Sequence, residues 1–246
     1  MPQTSPHADL VASSLDTHIV GSRVLVLEQT ESTNDLALRL GGDGTVIVAD
    51  TQTAGRGRHG RAWHSPPGLG LWFSVAFEGA GEGLQFAAPL AVRDALRPWC
   101  RIDIKWPNDL LVDGKKLGGI LIEQRGNRTA LGIGINVRHR IEDFPGDLCV
   151  TATSLRLAAA KPCARDEVLR AVLTALDEKI MVMRSGKNEA LHRDWAAACN
   201  IQGQRVRAGT VDGIVESIDE TGALIVRTDD GPQRILFGQG IEIREA

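Results

Sequence analysis

The chain has 246 residues, a formal net charge of −3 at pH 7 and 43% hydrophobic residues. This length suits one catalytic domain plus a small module, and the apolar fraction can bury a substantial core. The mild acidity argues against a general nucleic-acid binder, since such proteins are usually basic. Four scattered cysteines, at 100, 149, 163 and 199, predict free cytosolic thiols rather than a disulfide framework or a zinc site.

The start of the chain carries no recognisable targeting signal. Residues 1–20 are polar at the outset and contain proline, and they lack a basic segment followed by an apolar core. The sequence also lacks a run of about 18 apolar residues, so no membrane span is expected. We therefore predict a cytoplasmic protein with a frayed N-terminal tail over residues 1–20.

The segment from residue 21 to residue 100 alternates strands and helices. Its apolar runs predict three strands, at residues 23–28, 45–50 and 70–77. Ser32 is a favourable N-cap for a first helix, which the glycine pair at 41–42 ends. A second helix is predicted over Leu84–Leu96, where apolar residues recur at helical spacing.

A loop rich in arginine and glycine follows the strand at 45–50. Its basic and flexible residues are Gly55, Arg56, Gly57, Arg58, Gly60 and Arg61. Glycine this dense does not hold one backbone conformation, and guanidinium groups this close repel unless an anion lies among them. The pattern predicts a loop that folds around a phosphate or carboxylate. A solvated linker or an RNA-binding tract is the alternative.

Residues 105–123 predict a strand, a break at proline, a second strand, an Asp-Gly hairpin turn and a third strand. By the period of two, Lys116 and Gly118 share one face of the third strand, and Gly132 and Gly134 share a face of the next. Glycine within strands is typical of a surface that something approaches closely. We predict a flat floor for a small planar ligand whose anionic end lies near Lys116. Bulges or packing against a helix are the alternative.

The C-terminal third changes from helices to short strands. Helical spacing is found from residue 168 to 180 and again over Asn188–Cys199. From residue 202, strands at 206–211, 213–218, 223–227 and 233–237 are separated by glycine-containing turns. We predict a tail over residues 1–20, a catalytic domain over 21–199 and a small SH3-like β barrel over 200–246.

Together, these motifs resemble the catalytic domain of biotin protein ligases. The motifs are residues 55–61, 105–109 and 116–119, in that order, with Glu31–Asn34 upstream and 132–136 downstream. The resemblance implies an α+β fold, in which a mixed β-sheet of the class II synthetase type packs with helices, followed by the SH3-like barrel. Only about 20 residues precede the first strand, which is short for a winged helix-turn-helix. A monofunctional ligase that does not bind DNA is therefore expected.

The resemblance implies two half-reactions. Biotin is activated with ATP and Mg²⁺ as biotinyl-5′-AMP, and the biotinyl group then passes to a lysine of a biotin carboxyl carrier protein. A homodimer is also expected from the family. Two alternatives stay open: a lipoate ligase or transferase of the same fold, and a non-catalytic biotin-binding sensor.

Site residues follow from the resemblance and from the charge that the chemistry requires. Because the first step brings two anions together, Arg58 and Lys116 are predicted to be catalytic. The predicted biotin-binding residues are Ser32, Thr33, Asn34, Gln52, Arg56, Gly57, Arg58, Lys116, Gly118 and Gly132. The predicted nucleotide-binding residues are Arg61, Trp63, Lys105, Asn108, Asp109 and Asn136, and Asn108 and Asp109 are also candidates for Mg²⁺. Residues 138–154 contain no tryptophan that could cover the adenine.

Several of these residues also have purely structural interpretations. The alternative for Ser32 is a helix cap, a role compatible with ligand binding, and Asp109 after Pro-Asn is an ordinary turn residue. Trp63 suits a core position as well as a ligand contact. Asn136 at the end of a strand is likewise a common turn residue, so the sequence leaves these alternatives open.

Overall fold

A computed structural model describes residues 15–236 and 241–244 of the chain. The larger of its two sheets has seven strands in the order β1-β2-β3-β7-β6-β5-β4. The strands are β1 Arg23–Thr30, β2 Thr45–Gln52, β3 Gly70–Glu78, β4 Asp103–Lys105, β5 Asp109–Val112, β6 Lys115–Arg125 and β7 Arg128–Asn136. β1 and β2 are parallel and the other neighbours antiparallel, so the predicted mixed sheet is confirmed.

Helices cover both faces of this sheet. They are α1 Thr33–Leu40, α2 Leu84–Leu96, α3 Leu148–Thr151, α4 Leu155–Ala158, α5 Arg165–Arg184 and α6 Asn188–Cys199. The main core joins α2, α5 and α6 to the sheet and contains the fully buried Trp195 and Phe73. A smaller apolar cluster lies under α1, where Ala37 and Leu38 meet Ala76 and Ala130. Within the described ranges, no helix is both long and apolar enough to span a membrane.

The C-terminal module is a five-stranded antiparallel sheet in the order β11-β10-β9-β8-β12. Its strands are β8 Arg205–Ala208, β9 Val211–Ile218, β10 Leu224–Thr228, β11 Gly231–Ile235 and β12 Glu242–Arg244. The predicted strand at 206–211 is wrong, because the chain turns at Gly209, whose φ is +59°. Asp212 and Gly213 lie inside β9 instead of forming a turn. Barrel closure stays a prediction.

The predicted tail is ordered where the structure describes it. The backbone N–H groups of His18, Ile19 and Val20 all donate hydrogen bonds of 2.8 Å to the Asp177 carboxylate on α5. Burial works to raise the pKa of Asp177, but these backbone hydrogen bonds outweigh it and hold the pKa below 3.8. Residues from 18 onwards are therefore packed and not frayed, while the first 14 residues lie outside the described part.

Replacing Asp177 is expected to destabilise the protein. Asp177→Ala leaves three backbone donors without their acceptor, which should cost about 3 kcal/mol. Because the folded-state pKa is lowered, the stabilisation is present above pH 3.8 and is lost as the pH falls through the folded-state value. Urea denaturation at pH 7 and pH 3 measures both effects. Glu178→Ala, at an exposed neighbouring position, is the control, and equal stability of the two variants would contradict the assignment.

Candidate active site

A cavity of about 630 Å³ opens beside the N-terminus of α1, over the β6–β7 part of the large sheet. The arginine loop, the β4–β5 connection and residues 136–152 complete its walls. Every predicted site residue except Gly118 lines this cavity. The fold therefore brings together motifs that lie about 100 residues apart in the sequence.

Gly118 does not line the cavity, because β6 contains a bulge. In the β5–β6 pair, Leu110 lies opposite Gly118 whereas Leu111 lies opposite Lys116, so Leu117 is an extra residue on β6. The extra residue interrupts the period of two on which the prediction depended. Gly118 therefore lies outside the cavity lining, and its predicted contact with biotin stays a prediction.

Gly119 replaces Gly118 on the cavity side. A Cβ built at Gly119 would lie 3.5 Å from Lys116 Cε and 3.4 Å from the Trp63 ring. One built at Gly118 would instead lie 2.6 Å from the Gly134 carbonyl oxygen. Lys116 reaches the cavity as predicted, but its glycine neighbour there is Gly119.

The predicted glycine floor is covered by the indole of Trp63. A Cβ at Gly134 would lie 2.7 Å from the Trp63 ring, which explains why this position has no side chain. Lys116 Nζ lies 5.3 Å from the centre of the same ring. Gly132 is equally constrained, since a Cβ there would collide with the Asn34 side chain. Trp63 is therefore a wall of the cavity and not a core residue.

One end of the cavity is neutral and polar. The Thr33 N–H and hydroxyl donate to Gln52 Oε1 at 2.9 and 3.1 Å, and Gln52 Nε2 donates to Ser65 Oγ at 3.0 Å. Ser32 occupies the N-cap position but its side chain makes no capping hydrogen bond. These groups can exchange hydrogen bonds with an uncharged polar ligand.

Arg56 is bound by carboxylates. Its guanidinium donates two hydrogen bonds of 2.8 Å to Asp35 and lies 3.2 Å from Glu123 Oε2. The hydrogen bonds from Arg56 lower the pKa of the Asp35 carboxyl. Arg56 lines the cavity and its guanidinium anchors the start of the arginine loop, while its predicted contact with biotin stays a prediction.

Arg58 provides a cation with spare hydrogen-bonding capacity. Its Nη1 donates to Asn108 Oδ1 at 3.1 Å, while its buried Nη2 has no hydrogen-bond partner among the residues described. Burial is the largest influence on this guanidinium and lowers its pKa. A buried donor without a partner is unfavourable, and an anionic ligand in the cavity would satisfy it.

Lys116 lies near the start of β6 and forms an ion pair with Asp109. The Nζ–Oδ1 distance is 2.6 Å, and both side chains are about one-third exposed to the cavity and solvent, at 37% and 28%. The ammonium has three donors, so it can keep Asp109 and still bind an oxyanion. Lys105 and Arg61 add further positive charge to the cavity wall.

The predicted magnesium role of Asn108 and Asp109 does not fit their contacts. Asn108 Oδ1 accepts from Arg58 and its Nδ2 donates to the Ile120 carbonyl at 2.7 Å, so the side chain is already used. Asp109 is the only acidic residue among the described lining residues, and Lys116 binds it. Across residues 15–236 and 241–244, no cluster of three histidine, cysteine or carboxylate side chains suits a metal.

The far end of the cavity combines an amide with aromatic rings. Asn136 Nδ2 donates to the Thr153 carbonyl at 3.0 Å. His139 stacks on Phe144, with ring centres 4.8 Å apart, and burial lowers the pKa of His139 to about 4. Phe144 thus provides an aromatic ring in the segment that lacks tryptophan.

Sequence reasoning missed five residues at or beneath the cavity: Asp35, Ser65, Ser74, Glu123 and His139. Four of them form hydrogen bonds with predicted site residues, and His139 lines the cavity. Asp35 and Glu123 carried a usable signal, because three nearby arginines require counter-charges. The serines and His139 carried none, since isolated polar residues on strands and loops are common.

Comparison with known proteins places the chain in a family. The biotin/lipoate A/B protein ligase family matches residues 26–139, and the biotin protein ligase C-terminal domain matches residues 200–239. A biotin–[acetyl-CoA-carboxylase] ligase of Mycobacterium tuberculosis is 36% identical over 87% of this chain and 86% of that protein. The chain belongs to the biotin protein ligase family. It is therefore a ligase.

Two further relatives agree with this membership. The bifunctional ligase/repressor BirA of Bacillus subtilis is 34% identical over 93% of this chain and 76% of its own length. A biotin protein ligase from Aquifex aeolicus, solved in complex with biotin and ATP, superposes with a TM-score of 0.80. It is 29% identical over 91% of this chain and 100% of that one.

Proposed function

We propose that this ligase activates biotin with ATP to biotinyl-5′-AMP and transfers the biotinyl group to one lysine of a biotin carboxyl carrier protein. In the first step, a biotin carboxylate oxygen attacks the α-phosphorus, and the bond to the β-phosphate breaks to release pyrophosphate. In the second, the lysine amine attacks the carbonyl carbon, AMP leaves and the amine loses a proton.

One observation carries this proposal. The buried Arg58 Nη2, which has no hydrogen-bond partner in the described part of the chain, and the ammonium of Lys116 line the same cavity as the neutral pocket at Thr33 and Gln52. This arrangement suits a ligand with an uncharged polar head and an anionic tail. Positive charge fixed in place before reaction also stabilises the charge that grows at the α-phosphate.

The remaining site residues are assigned by position. Ser32, Thr33, Gln52 and Asn34 face the ureido ring. The missing side chain of Gly132 makes room for Asn34, and Gly119 lies beside Lys116 and the Trp63 ring. Asn136 is proposed to contact the adenine edge, with Lys105 and Arg61 near the phosphates. Any magnesium is proposed to arrive with ATP, because Asp109, the acidic residue among the described lining residues, is paired with Lys116.

We further propose that the catalytic part extends over residues 21–199 and the C-terminal module over residues 200–246, and that the protein acts in the cytoplasm as a homodimer. The hydrogen bond from Trp106 Nε1 to the Gly222 carbonyl, 2.9 Å long, supports close docking of the module beside the β4–β5 connection. Analytical ultracentrifugation tests the dimer.

Isotopic pyrophosphate exchange tests the first half-reaction. With MgATP, we expect exchange that depends on biotin and is absent with lipoate. Exchange with lipoate alone would identify a lipoate ligase, which shares the matched family description. Biotin binding without any exchange would identify a sensor instead.

The arginine loop is expected to become more ordered when biotin binds. Its glycines make ordering costly, and contacts from Arg58 to the bound ligand would supply that free energy. Because Arg56 is already anchored, we expect slower hydrogen exchange mainly at residues 57–62. Amides of β9 are the internal control, and equal loop exchange with and without biotin would contradict the prediction.

A further inference from the structure

A series of polar contacts at hydrogen-bonding distance connects the two ends of the arginine loop beneath the cavity. Its members, in order, are Arg56, Glu123, Asn34, Ser74, Thr33, Gln52, Ser65 and Trp63. Each neighbouring pair is 2.6 to 3.3 Å apart. The series passes through the neutral pocket that is proposed to hold the ureido ring, so it connects that pocket to the loop.

At Ser74 the series has fewer protons than acceptors, so its hydrogen bonds depend on one another. The Ser74 hydroxyl lies 2.6 Å from Asn34 Oδ1 and 2.7 Å from Thr33 Oγ1, yet it has one proton to donate. Thr33 donates its own proton to Gln52. A ligand that changes the hydrogen bonds of Thr33 or Gln52 therefore changes whether the Ser74 hydroxyl donates its proton to Thr33 or to Asn34.

Glu123 is the member that joins the pocket to the start of the loop. Its Oε2 accepts from Asn34 Nδ2 at 2.7 Å and lies 3.2 Å from the Arg56 guanidinium. Asp35 also binds Arg56, with two hydrogen bonds, whereas Glu123 contacts both Arg56 and Asn34. Asn34 in turn fills the space above Gly132.

We propose that Glu123 is a positioning residue that couples occupation of the ureido pocket to ordering of the arginine loop. This inference depends on the proposed function for the identity of the ligand. Through Asn34, Glu123 stabilises the pocket, and through Arg56 it fixes the first residue from which the loop closes.

Biotin affinity and loop exchange test the role of Glu123. Glu123→Ala is expected to raise the biotin Kd about tenfold and to speed amide exchange at residues 56–58, because both arms of the contact are lost. Glu123→Gln preserves size and is expected to give a smaller change in the same direction. Gln124→Ala, at the exposed neighbouring position, is the matched control and should match wild type.

A mutant cycle separates coupling from general weakening. Asn34→Ala and Arg56→Ala should be non-additive in biotin Kd by about fivefold when Glu123 is present, and additive in the Glu123→Ala background. Additivity in both backgrounds, or wild-type Kd and exchange in Glu123→Ala, would overturn the proposal. If wild type fails to bind biotin, the proposed function fails. In that case, amide hydrogen exchange at residues 56–58 is compared between wild type and Glu123→Ala without ligand. Faster exchange in the variant supports the contact of Glu123 with the loop, and equal exchange contradicts it.

Discussion

Lys116→Ala is expected to lose most of the first half-reaction while the protein remains folded. Its ammonium lies at the cavity, 2.6 Å from Asp109 and over the Trp63 ring. Removing it eliminates a fixed positive charge beside the reacting anions, which should cost about 3–4 kcal/mol, or roughly 10²–10³ in rate. Lys116→Arg should also lose most activity, because a planar guanidinium does not replace a compact ammonium. Pyrophosphate release with biotin and MgATP is the measurement.

Lys115→Ala is the matched control for Lys116. Lys115 is exposed, next to the Asp113-Gly114 turn, and lies outside the cavity lining. We expect activity near that of wild type. If Lys115→Ala proves damaging and Lys116→Ala mild, the register of β6 and the site built on it are wrong.

Arg58→Ala should impair formation and retention of the adenylate more than it impairs biotin binding. The variant removes the buried donor Nη2 and the contact with Asn108. Loss of one such donor should cost roughly 2.7–4 kcal/mol in the chemical step. We expect slower single-turnover adenylation and faster release of biotinyl-5′-AMP into solution, with a smaller change in biotin Kd.

Arg101→Ala is the control for Arg58. Arg101 is 90% exposed and lies outside the cavity lining. Its replacement should change neither adenylation nor adenylate release. Wild-type values of both quantities in Arg58→Ala would contradict the role assigned to Arg58.

Most secondary structure could be predicted because local patterns determine it. The helices at Leu84–Leu96 and Asn188–Cys199 have the predicted bounds, and both contain apolar residues at helical spacing. The Asp113-Gly114 turn is confirmed, with φ values of +49° and +75°. The β8–β9 turn was misplaced because two glycines, Gly209 and Gly213, compete for it, and strand pairing decides between them.

The sequence indicates which residues gather at the cavity, but it does not indicate how their side chains are arranged there. The bulge at Leu117 moves Gly119 to the cavity in place of Gly118, and no local pattern distinguishes these adjacent glycines. Arg56 binds partners that lie 21 and 67 residues away, Asp35 and Glu123, whereas Arg58 binds Asn108. Such long-range pairing follows from the fold of the chain and is not visible in the loop itself.

Transfer of biotin to a carrier is the most direct test of the proposed function. The protein is incubated with biotin, MgATP and a biotin carboxyl carrier domain, and the carrier is analysed by intact mass and peptide mapping. We predict a mass increase equal to one biotinyl group on a single lysine, with little or none when Lys116→Ala replaces wild type. An unmodified carrier, or modification scattered over many lysines, would contradict the proposed function.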